Sequence, residues 1–162
     1  MKRPSEGRGF TLIELLVSLA IVALLATVAF PLAQVVQTRA KEAELKASLR
    51  VIRQALDTYK AAADSGVIDK SAGTSGYPPS LDTLANGVKR SAAFGFSAQP
   101  FVVLRRIPRD PFFEDASVPN AATWNTRSYS SKADNPQPGE DVFDVSSKSS
   151  KRAMDGTRYS DW

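Results

Sequence analysis

The sequence predicts an α+β fold in which one long N-terminal helix packs on a small antiparallel β-sheet of about three strands. Three observations support this prediction. The run from Leu15 to Thr38 is uncharged and strongly apolar. An apolar stripe at helical spacing follows it. Short segments rich in β-forming residues, separated by polar and proline-containing loops, occupy the second half. We therefore divide the chain into a leader (1–9), a transmembrane and assembly helix (10–34) and a globular domain (35–162).

The apolar segment has the length of a membrane span. About twenty residues at 1.5 Å each match a hydrocarbon core of roughly 30 Å, and lipid requires the backbone to be helical. The residues before the segment include three bases, Lys2, Arg3 and Arg8, and only one acid, Glu6. This excess of positive charge keeps the N-terminus cytoplasmic, so the C-terminal domain is expected in the periplasm. A secretory signal cut near Ala29, or a plain signal anchor, remains an alternative, although the apolar run is long for a signal peptide.

Two residues stand out within this segment. Glu14 is the one charged residue between Phe10 and Thr38. A charge in the bilayer interior costs about 2.5 kcal/mol or more, which marks Glu14 as a functional residue. Pro31 removes one helical hydrogen bond and crowds the preceding turn, so a kink or local melting is expected there. A simple helix break between anchor and domain is the alternative.

The helix signal resumes after Pro31. The apolar residues recur at spacings of four, three, four and three and draw one stripe down a helix. They are Leu45, Leu49, Ile52, Leu56 and Tyr59. Two charge pairs at favourable spacing, Glu42 with Lys46 and Arg53 with Asp57, are expected on the other faces. Gly66 is expected to end the helix in a left-handed conformation.

The remaining elements are short. Ser80 resembles the N-cap of a helix that ends at Asn86 and Gly87. Residues 101–104, 123–129 and 141–146 have strand-like composition. The prolines at 108 and 111 forbid a regular helix and indicate a rigid extended turn over 107–112.

Composition narrows the function. The net charge is +4, and residues 1–9 carry three bases and one acid, so the side chains after the leader sum to +2. This charge is too small and too scattered to indicate a nucleic-acid-binding protein. The chain has neither Cys nor His, which removes disulfides, histidine metal sites and the usual nucleophile–base pairs. We therefore expect a structural protein rather than an enzyme.

The N-terminal motif carries a family resemblance. The run Arg8-Gly9-Phe10-Thr11-Leu12-Ile13-Glu14-Leu15-Leu16 resembles the processing motif of type IV pilins and type II secretion pseudopilins. The resemblance implies that a prepilin peptidase cuts between Gly9 and Phe10 and methylates the new amine of Phe10. It also implies that Glu14 pairs with the N-terminal amine of a neighbouring subunit during assembly.

The order of elements is similar to that of the major pseudopilin of type II secretion. The proline-bracketed stretch 107–112, the last strand at 142–147 and the tail with Asp155 and Trp162 resemble that subfamily, and the absence of Cys favours it over pilins. The resemblance implies a homopolymeric pseudopilus that drives protein export, with minor pseudopilins and an inner-membrane assembly platform as partners. A type IV pilin or minor pilin of a pilus or DNA-uptake machine, and a membrane-anchored periplasmic binding module that keeps its leader, remain alternatives.

The tail departs from the resemblance. Relatives commonly hold calcium there, and this ion requires six to eight oxygen ligands. The matching stretch 147–156 contains three bases, and only Asp155 matches a ligand position well. We therefore expect no cofactor, and a loop held by the packing of Tyr159 and Trp162 and by ion pairs from Lys151 or Arg152 to Asp155.

Overall fold

The computed structural model describes residues 10–70, 73–92 and 99–162, and only the backbone of Val28. It contains two compact units, Met1–Ala40 and Lys41–Trp162, called the N-terminal and the C-terminal unit below. The first helix, α1, covers Leu12–Asp64 and contributes to both. The predicted leader, including Gly9, lies outside the described residues.

The N-terminal unit consists of the apolar part of α1. Its side chains are exposed from Phe10 to Thr27. Its most apolar stretch of 18 residues has a mean hydropathy of 2.6, and none of these residues is buried. The length and composition of this helix would allow it to cross a membrane. Helical structure continues through Pro31, so the local melting expected there is not observed, and neither is the alternative of a helix break.

The C-terminal unit is built around the other half of α1. All five residues of the predicted stripe are buried in its core, which confirms the helical period. The helix ends as predicted. Gly66 has φ +75°, its N–H donates to Ala63 O, and the N–H of Val67 donates to Ala62 O at 2.9 Å. These two bonds form a Schellman motif, which satisfies carbonyls that the helix end would otherwise leave without donors.

The second helix, α2, covers Asp82–Asn86 and ends at Gly87 (φ +78°), close to the predicted bounds. The predicted Ser80 cap is not formed, since Leu81 occupies the N-cap position and Ser80 Oγ contacts Thr83 Oγ1 instead.

The sheet has two strands in the described residues, fewer than the three predicted. Strand β1 (Trp124–Arg127) pairs antiparallel with β2 (Asp144–Ser147), and Trp124 lies opposite Ser147. The expected strand at 101–104 forms only an isolated bridge between Phe101 and Val88. The backbone N–H groups of Val103 and Leu104 both donate to Leu84 O in α2. The chain therefore turns onto the helix instead of extending the ladder.

The predicted pairs on α1 are replaced by long-range contacts. Arg53 does not pair with Asp57; its guanidinium donates to Asp144 Oδ1 at 2.8 Å, Val145 O at 3.1 Å and Trp162 O at 2.6 Å. Lys46 does not pair with Glu42, and its ammonium lies 4.2 Å from the ring centroid of Trp162. Helical pairs are worth only a few tenths of a kcal/mol, so several acceptors on a packed segment outweigh them.

Candidate processing and assembly site

The start of α1 is fixed by a side-chain cap. Thr11 precedes the first helical residue, and the N–H of Glu14 donates to Thr11 Oγ1 at 3.3 Å. Thr11 and Glu14 occupy the N-cap and N3 positions of a capping-box sequence, Thr-x-x-Glu. The capping role of Thr11 was not predicted, although this spacing is typical of an N-cap. The acid in the first turn also complements the positive end of the helix dipole.

Phe10 lies before the helix and is 82% exposed. On the C-terminal side of the predicted cut, the backbone of Phe10 is therefore outside the helical hydrogen-bond ladder. Thr11 joins the ladder only through its carbonyl, which accepts from Leu15 N at 3.2 Å. A protease binds its substrate backbone most readily where that backbone is not already paired. Gly9, on the other side of the cut, lies outside the described residues.

The carboxylate of Glu14 is a side-chain group whose hydrogen-bonding capacity the helix does not satisfy. Ser18 Oγ donates to Glu14 O at 2.8 Å and Thr27 Oγ1 to Leu24 O at 2.7 Å, so these hydroxyls bond to the helix backbone. Thr11 accepts the capping bond. Within the described part of the chain, the Glu14 carboxylate makes no ion pair and no hydrogen bond. It needs a partner wherever water is absent.

Pro31 lies inside α1 with an apolar surface around it. Because proline has no N–H, the helix does not supply a donor to the carbonyl of Thr27. The side chains of Phe30 and Leu32 beside it are 69% and 62% exposed. This part of the helix therefore presents apolar surface that no described residue of the N-terminal unit covers.

The tail loop does not provide the donors that a calcium ion requires. Asp155 Oδ1 accepts hydrogen bonds from Thr157 N at 2.9 Å and Thr157 Oγ1 at 2.6 Å, and these bonds lower the pKa of Asp155. The Gly156 carbonyl accepts from the Arg152 guanidinium at 2.8 Å, which places a positive charge beside an oxygen that a cation would need. Among the described residues, no three carboxylates converge. These residues do not fit calcium.

The predicted ion pairs of Asp155 are wrong. Lys151 pairs with Glu114 at 2.8 Å instead, and Arg152 binds the Gly156 carbonyl. The predicted packing of the two aromatic residues is confirmed. The ring of Tyr159 contacts that of Trp162 edge to face, with 5.1 Å between centroids.

The tail is held against α1 by Glu42, which was predicted to pair with Lys46 and not with the tail. Glu42 Oε1 accepts from both Tyr159 Oη and Met154 N, each at 2.9 Å. Tyr159 is 1% exposed and stacks on Phe112 with 4.0 Å between ring centroids. Burial, together with the bond to Glu42, raises the pKa of Tyr159 to about 12.

A second buried network joins the proline-bracketed turn to the sheet. Asp110 is 0% exposed, and its carboxyl group accepts from Ser147 Oγ at 2.6 Å and Phe112 N at 2.8 Å. Its own N–H donates to Thr123 Oγ1 at 3.2 Å. The rigid turn was predicted from the sequence. The hydrogen bond between Asp110 and Ser147 was not, because the two residues are 37 positions apart in the chain.

Comparison with known proteins identifies the N-terminal segment only. Residues 7–30 match the family model described as the prokaryotic N-terminal methylation motif. The match includes Gly9, Phe10 and Glu14. No curated protein and no solved structure matches the chain. The chain therefore carries, on an apolar helix, the N-terminal methylation motif of prokaryotic prepilin-like proteins.

Proposed function

We propose that this chain is the major pseudopilin of a type II secretion system, a structural subunit and not an enzyme. The leader is removed between Gly9 and Phe10, the amine of Phe10 is methylated, and α1 anchors the subunit in the inner membrane with its C-terminal unit in the periplasm. Subunits then polymerise through α1 into a fibre. Growth of this fibre drives folded proteins across the outer membrane.

The observation that carries the proposal is the unsatisfied carboxylate of Glu14. The other polar side chains between Phe10 and Pro31 bond within the helix, as described above. Moving from lipid to a bundle of identical helices keeps the apolar surface covered but leaves Glu14 poorly solvated in both places. The new amine of Phe10 on a neighbouring subunit supplies the missing positive charge, and this pairing fixes the axial register of the fibre.

The absence of Cys favours a pseudopilin over a pilin. The chain contains no Cys, whereas the pilins it resembles usually close their C-terminal region with a disulfide. The buried turn at Asp110 occupies the stretch that resembles the pseudopilin connection. A deletion strain separates the two functions: loss of enzyme secretion supports a pseudopilin, and loss of surface fibres with normal secretion supports a pilin.

Processing is tested by the intact mass of the native protein. The mass should correspond to a chain that begins at Phe10 with one added methyl group. Gly9→Val should leave the leader attached, because the motif requires a small residue before the cut. An intact Met1 terminus in assembled fibres would refute the proposed processing.

Assembly is tested by Glu14→Leu, with Glu44→Leu as the matched control. Glu44 is also exposed on α1, and among the described residues it forms no ion pair. Glu14→Leu should insert into the membrane and be cut, because a penalty of about 2.5 kcal/mol or more is removed, but it should not form fibres. Glu44→Leu should insert, be cut and assemble. Normal fibres from Glu14→Leu would exclude the pairing mechanism.

A further inference from the structure

A groove on the C-terminal unit has features that subunit assembly does not explain. Its floor is formed by Tyr59 and Ala63 on α1 and by Tyr77, and its walls are residues 73–79 and 128–141. We call it the tyrosine groove. Its volume of about 1080 Å³ is slightly above the range of about 300–1,000 Å³ for small-molecule sites.

The groove presents a fixed aromatic platform to solvent. Tyr129 is 60% exposed, yet its ring stacks on Tyr77 (5.9 Å between centroids, 25° between planes) and contacts the edge of Phe143 at 5.5 Å. Its backbone N–H is held by Asp141 Oδ1 at 2.8 Å. An exposed ring that is already immobilised loses little conformational entropy when a ligand packs on it.

The wall beside the platform is also fixed. Ser128 N donates to Gln137 O at 2.9 Å, and Asp141 accepts from Ser75 Oγ as well as from Tyr129 N. Gly139 approaches Ser128 so closely that an added Cβ would lie 2.8 Å from the Ser128 Cβ. The loop between β1 and β2 therefore closes on itself and holds its polar side chains in place.

The chemistry of the lining selects a neutral polyhydroxylated ligand. Seven uncharged side chains with hydroxyl or amide groups line the walls: Thr74, Ser75, Ser128, Ser130, Ser131, Asn135 and Gln137. The charges of the lining nearly cancel, since it contains two bases (Lys70 and Lys132) and three acids (Asp69, Glu140 and Asp141). In the described part of the chain, the hydroxyl groups of Tyr77 and Tyr129 make no hydrogen bond, so each has a donor and an acceptor available.

We infer that the tyrosine groove binds an oligosaccharide. The axial C–H groups of a pyranose ring form an apolar face that packs on the exposed face of Tyr129, and its hydroxyls bond to the serine and amide side chains of the walls. A proline-rich peptide also docks in aromatic grooves, but it offers few hydrogen-bonding groups to so polar a wall. The sugar is either cell-wall glycan, built from N-acetylated units, or a polysaccharide of plain hexoses.

This inference does not depend on the proposed function, because sugar binding requires neither processing nor fibre assembly. The test uses the full chain in a polyoxyethylene detergent, since a maltoside headgroup would compete for the groove. Titration calorimetry measures binding of triacetylchitotriose, maltotriose and decaproline. Co-sedimentation with purified peptidoglycan sacculi then reports binding to intact cell wall.

Three variants assign the binding to the groove. Tyr129→Ala should weaken binding about tenfold or more, because it removes the platform. Tyr129→Phe should retain most of the affinity, because the ring remains. Phe113→Ala removes a partly exposed aromatic ring outside the groove and should bind as the wild type.

Each outcome decides the inference. Binding of chitotriose and sacculi that Tyr129→Ala weakens supports the groove and identifies cell-wall glycan as the source. Binding of maltotriose alone, with the same dependence on Tyr129, supports the groove and identifies plain hexoses. Binding of decaproline alone, binding of neither trisaccharide, or sugar binding that Tyr129→Ala leaves unchanged would overturn the inference.

Discussion

Replacing Asp110 with Ala should strongly destabilise the C-terminal unit. The carboxyl group of Asp110 is buried and serves two donors, the Ser147 hydroxyl and the Phe112 N–H. Asp110→Ala removes the acceptor from the Ser147 hydroxyl, which is fully buried, and from the Phe112 N–H, which is partly buried. Each costs about 1–3 kcal/mol, so the expected loss is about 2–6 kcal/mol. Against a total stability of about 5–10 kcal/mol, this change should leave the unit close to unfolding at room temperature.

The assay is urea unfolding of a soluble fragment that begins at Val35, followed by far-ultraviolet circular dichroism. We expect this fragment to be soluble and monomeric because it lacks most of the apolar anchor. Asp134→Ala is the matched control, since Asp134 is exposed and its replacement should change stability by less than about 0.5 kcal/mol.

A double-mutant cycle with Ser147→Ala identifies the mechanism. In the double variant the Ser147 hydroxyl is no longer orphaned, so the combined loss should be smaller than the sum of the single losses by about 1 kcal/mol or more. A single Asp110→Ala loss below about 1 kcal/mol, or losses that simply add, would refute this account of the buried network.

Three further predictions concern the same unit. Ile52→Asp should unfold the soluble fragment, as judged by circular dichroism, because Ile52 is fully buried and an unpaired charge there costs several kcal/mol; a folded variant would contradict the assigned core. Tyr159, which donates to Glu42, has a higher pKa in the folded state than in the unfolded state. The stability that its protonated hydroxyl contributes is therefore present below pH 10 and is lost as the pH rises towards 12. Tyr159→Phe should therefore be less stable at neutral pH and decline less with alkaline pH than the wild type; parallel curves would exclude this role. Calcium or a chelator should shift the melting temperature little, and a calcium-dependent rise that Asp155→Ala abolishes would show that the tail loop holds the ion.

The parts of the fold that depend on local sequence were predictable. The apolar stripe and the Gly66 terminus follow from spacing and from the conformational freedom of glycine, and both are confirmed. The prediction of a third strand at 101–104 was wrong. The composition of this segment favours a β-strand, but the backbone N–H groups of Val103 and Leu104 donate to Leu84 O and not to a neighbouring strand. Propensity alone does not show which acceptor lies nearby.

In the candidate site, too, the features that depend on local sequence were predictable and those that depend on distant contacts were not. The motif around Gly9, Phe10 and Glu14 is contiguous in sequence, and its match to the methylation motif is confirmed. The capping role of Thr11 was also contained in the local pattern. The partners of Glu42 could not be predicted, because Met154 and Tyr159 are more than 100 residues away and are brought to the helix only by folding.

These long separations constrain when the C-terminal unit can fold. Three of the polar contacts of its helix come from the last segment: Arg53 binds Asp144 and Trp162, and Glu42 binds Tyr159. At about 5–20 residues per second, a ribosome needs roughly 5–20 s to make the 100 or so residues that follow the helix. During that interval the stripe that includes Leu45 and Ile52 lacks the part of its core that Val142, Val145 and Tyr159 supply. A nascent subunit is therefore most vulnerable to aggregation and proteolysis after its helix is made and before its tail arrives, and a holdase chaperone that covers this stripe would act in that interval.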